Sequence, residues 1–361
     1  MKLLLWAALA LWIGAAGPAF AAEPPALADA SPAEKARLEP LIKGALAEGQ
    51  LSYWDVVIQP ETNEALTAAF LKRYGLPASF KVNYTLTSSS GMVTRLDQEL
   101  GADRVTIDVA AIASLPWVYT HLAKGQVIAY DSPELGHFTR ATAAGLAKAG
   151  AFAFNGAYVF VPLWNSENLD YKGTAWKDVL GNVPAGRASL GDCGKSETLL
   201  ETYYALRTIL GREYFEGIAK MKPNYLVRSE QIASRLVSGE DLMAISGSTG
   251  RAYQFNQRGA KLKFVFPSEG VVLLPQETFT LKGSPHPNAA RLWIDFILSE
   301  EGQKILVEKE ALISGRDGFK SPIPDYAPSI ESMKLIPIDW SKVTPDDLLK
   351  ARGEWSSIFT P

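Results

Sequence analysis

The 361-residue sequence contains little cysteine and little histidine. Cys193 is the only cysteine, so no intramolecular disulfide can form. The three histidines are scattered and lack the short-interval pairing that is typical of metal sites. The sequence therefore predicts neither a disulfide scaffold nor a metal centre, and no cofactor is expected.

An excess of charge of one sign is also lacking. The formal net charge is -3 at pH 7, and no block of like charges stands out. This balance gives no reason to expect a nucleic acid as a partner, so any site for an anion would have to be built locally. Hydrophobic residues make up 47% of the chain and charged residues 21%, which is typical of a globular protein with ample core for about two domains.

Long apolar runs are absent beyond the first residues. Lys2 precedes an apolar run from Leu3 to about Ala16, and Gly17-Pro18-Ala19-Phe20-Ala21 follows. These are the three parts of a signal peptide, and the apolar run is short for a membrane anchor, which is the alternative. We expect cleavage after Ala21. The cleavage point has no cysteine for lipid attachment, so we predict a soluble, monomeric protein of the periplasm.

Strand and helix patterns alternate from residue 48 to about 153. Alternating or continuous apolar residues predict strands at 51–57, 80–86 and 109–114, and helical spacing predicts helices at 62–74 and from Met92 onward. A βαβαβ order predicts an α/β fold with a mostly parallel sheet covered by helices.

The same alternation restarts in a second lobe. Strands are predicted at 187–190, 242–245 and 262–266, and the apolar segments 151–163 and 267–281 are expected to cross between the lobes. We expect a leader and first helix at 22–47. The first lobe would comprise 48–153 with about 275–310. The second would comprise 154–270 with about 311–361, whose proline-rich part would wrap the surface.

Three serines precede the helix that contains Met92. Thr87-Ser88-Ser89-Ser90-Gly91 has more hydroxyls than one N-cap needs. Free backbone N–H groups, hydroxyls and the helix dipole together favour an anion at such a position. The sequence leaves open whether these serines bind a ligand or only cap the helix.

The segment from 225 to 253 is predicted to form one wall of a ligand cleft. Ser229 is expected to cap a short helix that ends at Gly239, and the strand at 242–245 then runs into a loop, Ser246-Gly247-Ser248-Thr249-Gly250-Arg251. In open α/β sheets, ligands bind beyond the carboxyl ends of strands. Arg251 would contact two oxygens of an anion, or else lie on the surface.

Two partial enzyme motifs are incomplete. Gly194-Lys195-Ser196 resembles the end of a phosphate-binding loop, but Ser189 stands where the first glycine belongs, so nucleotide hydrolysis is rejected. Lys195 and Ser196 remain candidate anion contacts, or a solvated lysine beside a helix start. The 246–250 segment has serine in place of the first glycine of Gly-x-Ser-x-Gly, so a secreted serine hydrolase is only a second alternative.

Several motifs together resemble the periplasmic solute-binding proteins of ABC importers, in the two-lobed group that includes the ferric-ion binders. The matching features are the strand–serine cluster–helix at 88–91, the segment from Ser229-Glu230-Gln231-Ile232 to Gly239-Glu240, and a helix at 289–298 followed by Ser299-Glu300-Glu301-Gly302-Gln303. The resemblance implies a type II periplasmic-binding-protein fold with two crossing hinge strands, a small-molecule ligand, permease subunits as partners, and no catalysis.

The ligand is expected to be a small organic anion: a carboxylate, a phosphonate or a phosphate ester. The resemblance to ferric binders implies adjacent tyrosines late in the second lobe, but this chain has hydroxyl residues at 246–249 and only Tyr253 beyond. Tyr203-Tyr204 lies in a predicted helix, where neighbours diverge by about 100°. A ferric-iron carrier stays the first alternative. The candidate ligand-binding residues are Trp54, Ser88, Ser89, Ser90, Ser114, Asp192, Lys195, Ser196, Ser246, Ser248, Thr249, Arg251 and Tyr253.

Overall fold

The computed structural model describes residues 23–28 and 30–359. The predicted signal peptide and its cleavage site lie outside these residues. Across the described ranges, no helix combines the length and the apolar character needed to cross a membrane.

Ten strands in the described part of the chain form the centre of the molecule. Their order across the sheet is β2-β1-β3-β10-β5-β8-β6-β7, with β4 beside β10 and β9 beside β5. The strands are β1 (Gln50–Asp55), β2 (Lys81–Leu86), β3 (Val109–Ile112), β4 (Val127–Ile128), β5 (Ala153–Asn165), β6 (Ala188–Gly191), β7 (Asn224–Leu226), β8 (Met243–Ser248), β9 (Leu262–Phe264) and β10 (Leu273–Leu281).

The strand pairing divides the molecule into two lobes. In the first lobe β1 is parallel to β2 and β3, and in the second β6 is parallel to β7 and β8. The long strands β5 and β10 are antiparallel to each other and lie between these groups. The first half of β5 pairs with β10 and its second half pairs with β8 and β9, so β5 belongs to both lobes.

Helices cover both lobes. α2 packs against α10 beside the first group of strands, and α12 packs against α7 beside the second. Gly211 interrupts α7 with a positive φ of 78°. The helices are α1 (Pro25–Ala28), α2 (Pro32–Glu48), α3 (Pro60–Tyr74), α4 (Ser89–Gly101), α5 (Leu115–Ala123), α6 (Thr139–Ala143), α7 (Glu197–Lys220), α8 (Ser229–Ser238), α9 (Thr249–Gln257), α10 (Pro287–Leu298), α11 (Glu300–Glu310) and α12 (Pro345–Phe359). Four short 3-10 turns lie at Pro133–His137, Trp176–Val179, Ile330–Ser332 and Trp340–Lys342.

The α/β fold with two lobes is confirmed, but the predicted loop at 246–251 is wrong. β8 continues through Ser248 because Gly247 and Ser248 pair with Val161 and Phe160 of β5. The helix α9 begins at the next residue, with Ser248 as its N-cap. Sequence reasoning ended the strand early because glycine and serine usually mark loops.

One helix boundary and one whole helix also differ from the prediction. Arg228, not Ser229, is the N-cap residue of α8, and no side chain caps this helix. The C-terminal segment does more than wrap the surface, because residues 345–359 form a helix. The buried side chains of this helix are Leu348, Ala351, Trp355, Ile358 and Phe359.

Candidate ligand-binding cleft

A cavity of about 380 Å³ lies where several strands end. One side is formed by residues that follow β1 and β2 of the first lobe, and the other by residues that follow β6 and β7 of the second. β5 contributes Tyr158 and Phe160. The volume is in the range of small-molecule sites, and the position beyond strand carboxyl ends is where such folds bind ligands.

Four helices begin at this cavity. The N-cap residues are Gln59 for α3, Ser88 for α4, Ser196 for α7 and Arg228 for α8, and all four line the cavity. The Ser88 Oγ accepts the Gly91 N–H at 3.1 Å, and the Ser196 Oγ accepts the Leu199 N–H at 3.4 Å. Each helix N-terminus carries a partial positive charge, so their convergence favours a negatively charged occupant.

The two lobes contact each other at the edge of the cavity. The Ser89 hydroxyl lies 2.9 Å from the Thr198 hydroxyl, and the Ser90 hydroxyl donates to the Lys195 carbonyl oxygen at 3.3 Å. The serine cluster of the first lobe therefore bonds directly to the start of α7 in the second.

Three cations and one carboxylate line the cavity. The exposed Lys195 lies 3.1 Å from a carboxylate oxygen of the buried Asp192. The Arg251 guanidinium lies 2.9 Å from a Glu230 oxygen and 3.7 Å from a Glu310 oxygen. Arg228 is exposed and has no carboxylate partner among the described residues, so its guanidinium is available to a ligand.

A smaller pocket of about 20 Å³ adjoins the cavity at Arg251 and Tyr158. Ser248 and Thr249 line it, and Glu310 closes it. The Glu310 carboxylate accepts the Gln59 N–H at 2.7 Å at the start of α3. The N-terminus of α3 therefore already holds an anionic group from the protein itself.

Two stacked aromatic rings form the wall contributed by β5. The Tyr158 and Phe160 rings are 6.3 Å apart with an angle of 24° between their planes. Burial, followed by the negative charge of Asp55, raises the pKa of Tyr158. The phenol therefore stays neutral and offers a ring and a hydroxyl rather than a phenolate.

Eight of the thirteen sequence-predicted residues line the two cavities. Those at the larger cavity are Ser88, Ser89, Ser90, Lys195, Ser196 and Arg251, and those at the smaller pocket are Ser248 and Thr249. The serine cluster and the end of β8 thus lie on neighbouring cavities that share Tyr158 and Arg251 in their lining.

Trp54, Ser114 and Tyr253 lie outside both cavities. The Trp54 side chain lies beneath the Arg95 guanidinium, which is 5.8 Å from a ring centroid. Ser114 is buried before α5, where its N–H donates to Glu277 at 3.3 Å. The Tyr253 hydroxyl donates to the Glu308 carbonyl at 3.0 Å, so it joins α9 to α11.

Asp192 and Ser246 also lie outside the cavities. Asp192 accepts the Gly194 N–H at 3.0 Å, so it shapes the turn that carries Lys195. Ser246 is buried beside Cys193 on the α7 and α12 side of the sheet. Regular alternation would place Ser246 and Ser248 on the same face, but the pairing of β8 with β5 shifts register between Gly247 and Ala244, and such a bulge redirects the side chains.

The cavity-lining residues that sequence reasoning missed include Tyr158, Phe160, Arg228 and Glu230. The available signal was the short strand β7, which ends at Leu226 and places Arg228 beyond a carboxyl end beside that of β6. Tyr158 and Phe160 occur two apart in a crossing strand, a spacing that places both on one face.

The arrangement of side chains gives little support to the serine-hydrolase and iron-binding alternatives. Ser248 caps α9, accepting the Arg251 N–H at 3.4 Å, and none of the three histidines lines either cavity. Tyr203 is buried against Phe215 and Tyr204 is half-buried, as predicted for neighbours in a helix. The described residues contain no group of three histidine, cysteine or acidic side chains arranged to hold a metal ion.

The sequence profile of the bacterial extracellular solute-binding proteins matches residues 58–309. The chain belongs to this family. The matched region includes most of the cleft described above, and the family consists of transport binding proteins. Comparison with curated protein sequences finds no significant match.

Several solved structures share the fold. The periplasmic binding protein AfuA from Actinobacillus pleuropneumoniae, with fructose-6-phosphate bound, has a TM-score of 0.73 at 19% identity, with 86% of this chain and 98% of that chain covered. Iron-bound HitA from Pseudomonas aeruginosa has a TM-score of 0.67 at 18% identity, with 86% of this chain and 99% of that chain covered. An ABC-transporter substrate-binding protein from Agrobacterium tumefaciens has a TM-score of 0.74 at 12% identity, with 86% of this chain and 94% of that chain covered. These similarities establish the two-lobed solute-binding fold.

Proposed function

We propose that this solute-binding protein captures a small organic anion in the cleft between its lobes and delivers it to the permease of an ABC importer. The observation that carries the proposal is the convergence of the N-termini of α4, α7 and α8 and the unpaired Arg228 on one cavity between the lobes. Partial positive charges at the helix starts and a guanidinium both favour anionic oxygens.

The cleft opens and closes as the two lobes rotate about β5 and β10. The first lobe comprises 48–153 with about 275–310, and the second comprises 154–270 with about 311–361. Contacts such as Ser89 to Thr198 join the lobes directly, so they contribute to the closed state. A ligand that contacts both walls binds the closed state better and shifts the population toward it.

The protein acts as a soluble monomer in the periplasm after removal of residues 1–21. N-terminal sequencing of the secreted protein is expected to begin at Ala22. Retention of the first 21 residues in a membrane fraction would contradict this localisation.

Isothermal titration with carboxylates, phosphonates and phosphate esters tests the proposal. Arg228→Gln is expected to weaken binding about tenfold or more, because a hydrogen bond to a charged group is lost. Arg104→Gln is the matched control, since Arg104 is exposed and lies away from the cavity. A wild-type protein that binds none of these anions would contradict the proposal.

A ferric-iron carrier of the same fold is the competing hypothesis, because the structurally similar HitA is iron-bound. Tyrosinate coordination of ferric iron produces a visible absorption band. In the described part of the chain, Tyr158 is the one tyrosine that lines the cavities, and burial raises its pKa. We expect chelated iron to produce no such band, and its appearance would favour the iron carrier.

A further inference from the structure

A buried pair of carboxyl groups lies where the two lobes meet. Glu201 belongs to α7 of the second lobe, and Glu277 belongs to the crossing strand β10. Both side chains are buried, and the Oε1 atom of each has no hydrogen-bond partner among the described residues. Neither residue lines the cavity, so the proposed anion site does not account for this pair.

One face of α7 is turned toward the first lobe. Thr198 and Glu201 are three residues apart, so they lie on the same side of the helix. The Thr198 hydroxyl lies 2.9 Å from the hydroxyl of Ser89 in the first lobe. The Glu201 carboxyl faces the side chain of Ser114, which follows β3 of the first lobe. The contact between the lobes therefore continues from the edge of the cavity inward to Glu201.

Ser114 connects the two carboxyl groups. Its backbone N–H donates to the Glu277 Oε2 at 3.3 Å, and its side chain hydrogen-bonds to Glu201. Glu201 is also close enough to act on Glu277 as a negative charge. Two carboxyl groups that share a buried site cannot both ionise without a large electrostatic cost. At least one of them therefore carries a proton while the lobes are in contact.

The other ionisable groups that face the pair add no positive charge. Glu197 of α7 acts on Glu201, and Tyr119 of α5 faces Glu277. The Glu197 carboxylate is itself paired with Arg352 of α12 at 2.5 Å. Within the described ranges, no cation acts on Glu201 or Glu277, and burial raises the pKa of both. Protonation is therefore the means by which the pair is neutralised.

We infer that closure of the two lobes takes up a proton from solvent at the Glu201–Glu277 pair, so that acidity favours the closed, ligand-holding form. The inference rests on the lobe motion of the proposed function and adds a chemical signal that controls it. Rotation of the second lobe away from the first carries Glu201 away from Ser114 and Glu277. Water then reaches the carboxyl groups and favours their ionised form.

The closed form loses stability relative to the open form as pH rises. In the closed form, burial raises the pKa of both carboxyl groups above the ordinary value of 4.5, and hydration in the open form returns them toward it. The advantage of the closed form is complete below the ordinary pKa and is lost as pH rises through the raised values. Each unit of difference in pKa between the two forms changes their ratio by up to about tenfold.

Distances between spin labels on the two lobes test this coupling without any ligand. Between pH 5 and pH 8, we expect the closed-to-open ratio of the wild-type protein to fall by about fivefold or more. Glu201→Gln mimics the protonated carboxyl group and should reduce this change to less than about twofold. Glu216→Gln is the matched control, because Glu216 lies on the same helix and is exposed, and it should respond to pH like the wild type.

Glu277→Gln is the second variant, and it keeps the test decisive if Glu201→Gln does not fold. It should also respond to pH less than Glu216→Gln does. A wild-type ratio that is independent of pH, the absence of a closed population at pH 5, or equal pH responses in all the glutamine variants would overturn the inference. Because no ligand is present, these results would leave the anion carrier intact, whereas a lack of anion binding would contradict the carrier alone.

Discussion

The hydroxyl of Ser89 lies 2.9 Å from the hydroxyl of Thr198, so the first turn of α4 in one lobe is hydrogen-bonded to the first turn of α7 in the other. Both residues line the cavity. The serine cluster therefore contributes to lobe contact as well as to the walls of the ligand site.

Thr198→Val is expected to favour the open form. The substitution keeps the side-chain shape and removes one interlobe hydrogen bond, which contributes about 1 kcal/mol, or a roughly fivefold shift in the open–closed equilibrium. Distances between spin labels on the two lobes measure this shift. Thr208→Val is the control, because the Thr208 hydroxyl bonds within the same helix, to the Ala205 carbonyl at 2.7 Å. Identical distance distributions for the two variants would show that the contact does not stabilise closure.

Because of two buried carboxyl groups, we predict that the free energy of unfolding falls as pH rises. Glu201 of α7 and Glu277 of β10 are buried, and each has an oxygen without a partner among the described residues. Burial raises the pKa of both groups, and each feels a further negative charge, Glu277 from Glu201 and Glu201 from Glu197. Tyr119 also faces Glu277.

The folded state therefore holds these protons more tightly than the unfolded state. Their stabilisation is complete below the ordinary carboxyl pKa of 4.5 and is lost as pH rises toward the raised values. Urea unfolding at pH 5 and pH 8 should show a smaller pH effect in Glu201→Gln than in wild type. The exposed Glu216→Gln should behave like wild type, and an equal pH effect in all three proteins would refute this assignment.

Replacement of Gly156 in β5 by alanine is expected to lower the free energy of unfolding. A Cβ added there would lie 2.7 Å from the Leu312 Cβ and 2.8 Å from its Cδ1. Overpacking of this kind lowers the free energy of unfolding by about 1–3 kcal/mol. Gly101→Ala is the matched control, because no atom lies within 4 Å of its added Cβ and the residue ends α4. Urea unfolding should rank Gly156→Ala below wild type and Gly101→Ala at or above it; the reverse order would contradict the packing argument.

Much of the fold was predictable because its strands and helices have regular apolar spacing. The parallel strands of the first lobe, β6 and β8 of the second lobe, the crossing strands and the helix at 287–298 all follow from local patterns, whereas the three-residue strand β7 was not predicted. The prediction ended β8 too early because its last residues, Ser246 to Ser248, are of types that favour loops. Only pairing with β5 holds them extended. The helix α12 was missed because its buried side chains gain their partner, α7, only in the folded chain.

The residues of the site could be predicted only where neighbouring residues in the sequence form the ligand-binding feature. The serine cluster and Lys195 follow strands and precede helices, so sequence alone placed them at the cavity. Arg228 follows a strand of only three residues, and its exposure without an ion-pair partner depends on the packing around it. Trp54 and Tyr253 were selected for their aromatic character, but contacts with Arg95 and Glu308 direct them elsewhere.

Native mass spectrometry of protein isolated from the periplasm most directly tests whether the cleft holds an anion. Wild-type protein and Arg104→Gln are expected to retain a small organic anion that is released on denaturation, while Arg228→Gln retains at least tenfold less. Bound ferric iron, a neutral or cationic ligand, or equal occupancy in all three proteins would contradict the account.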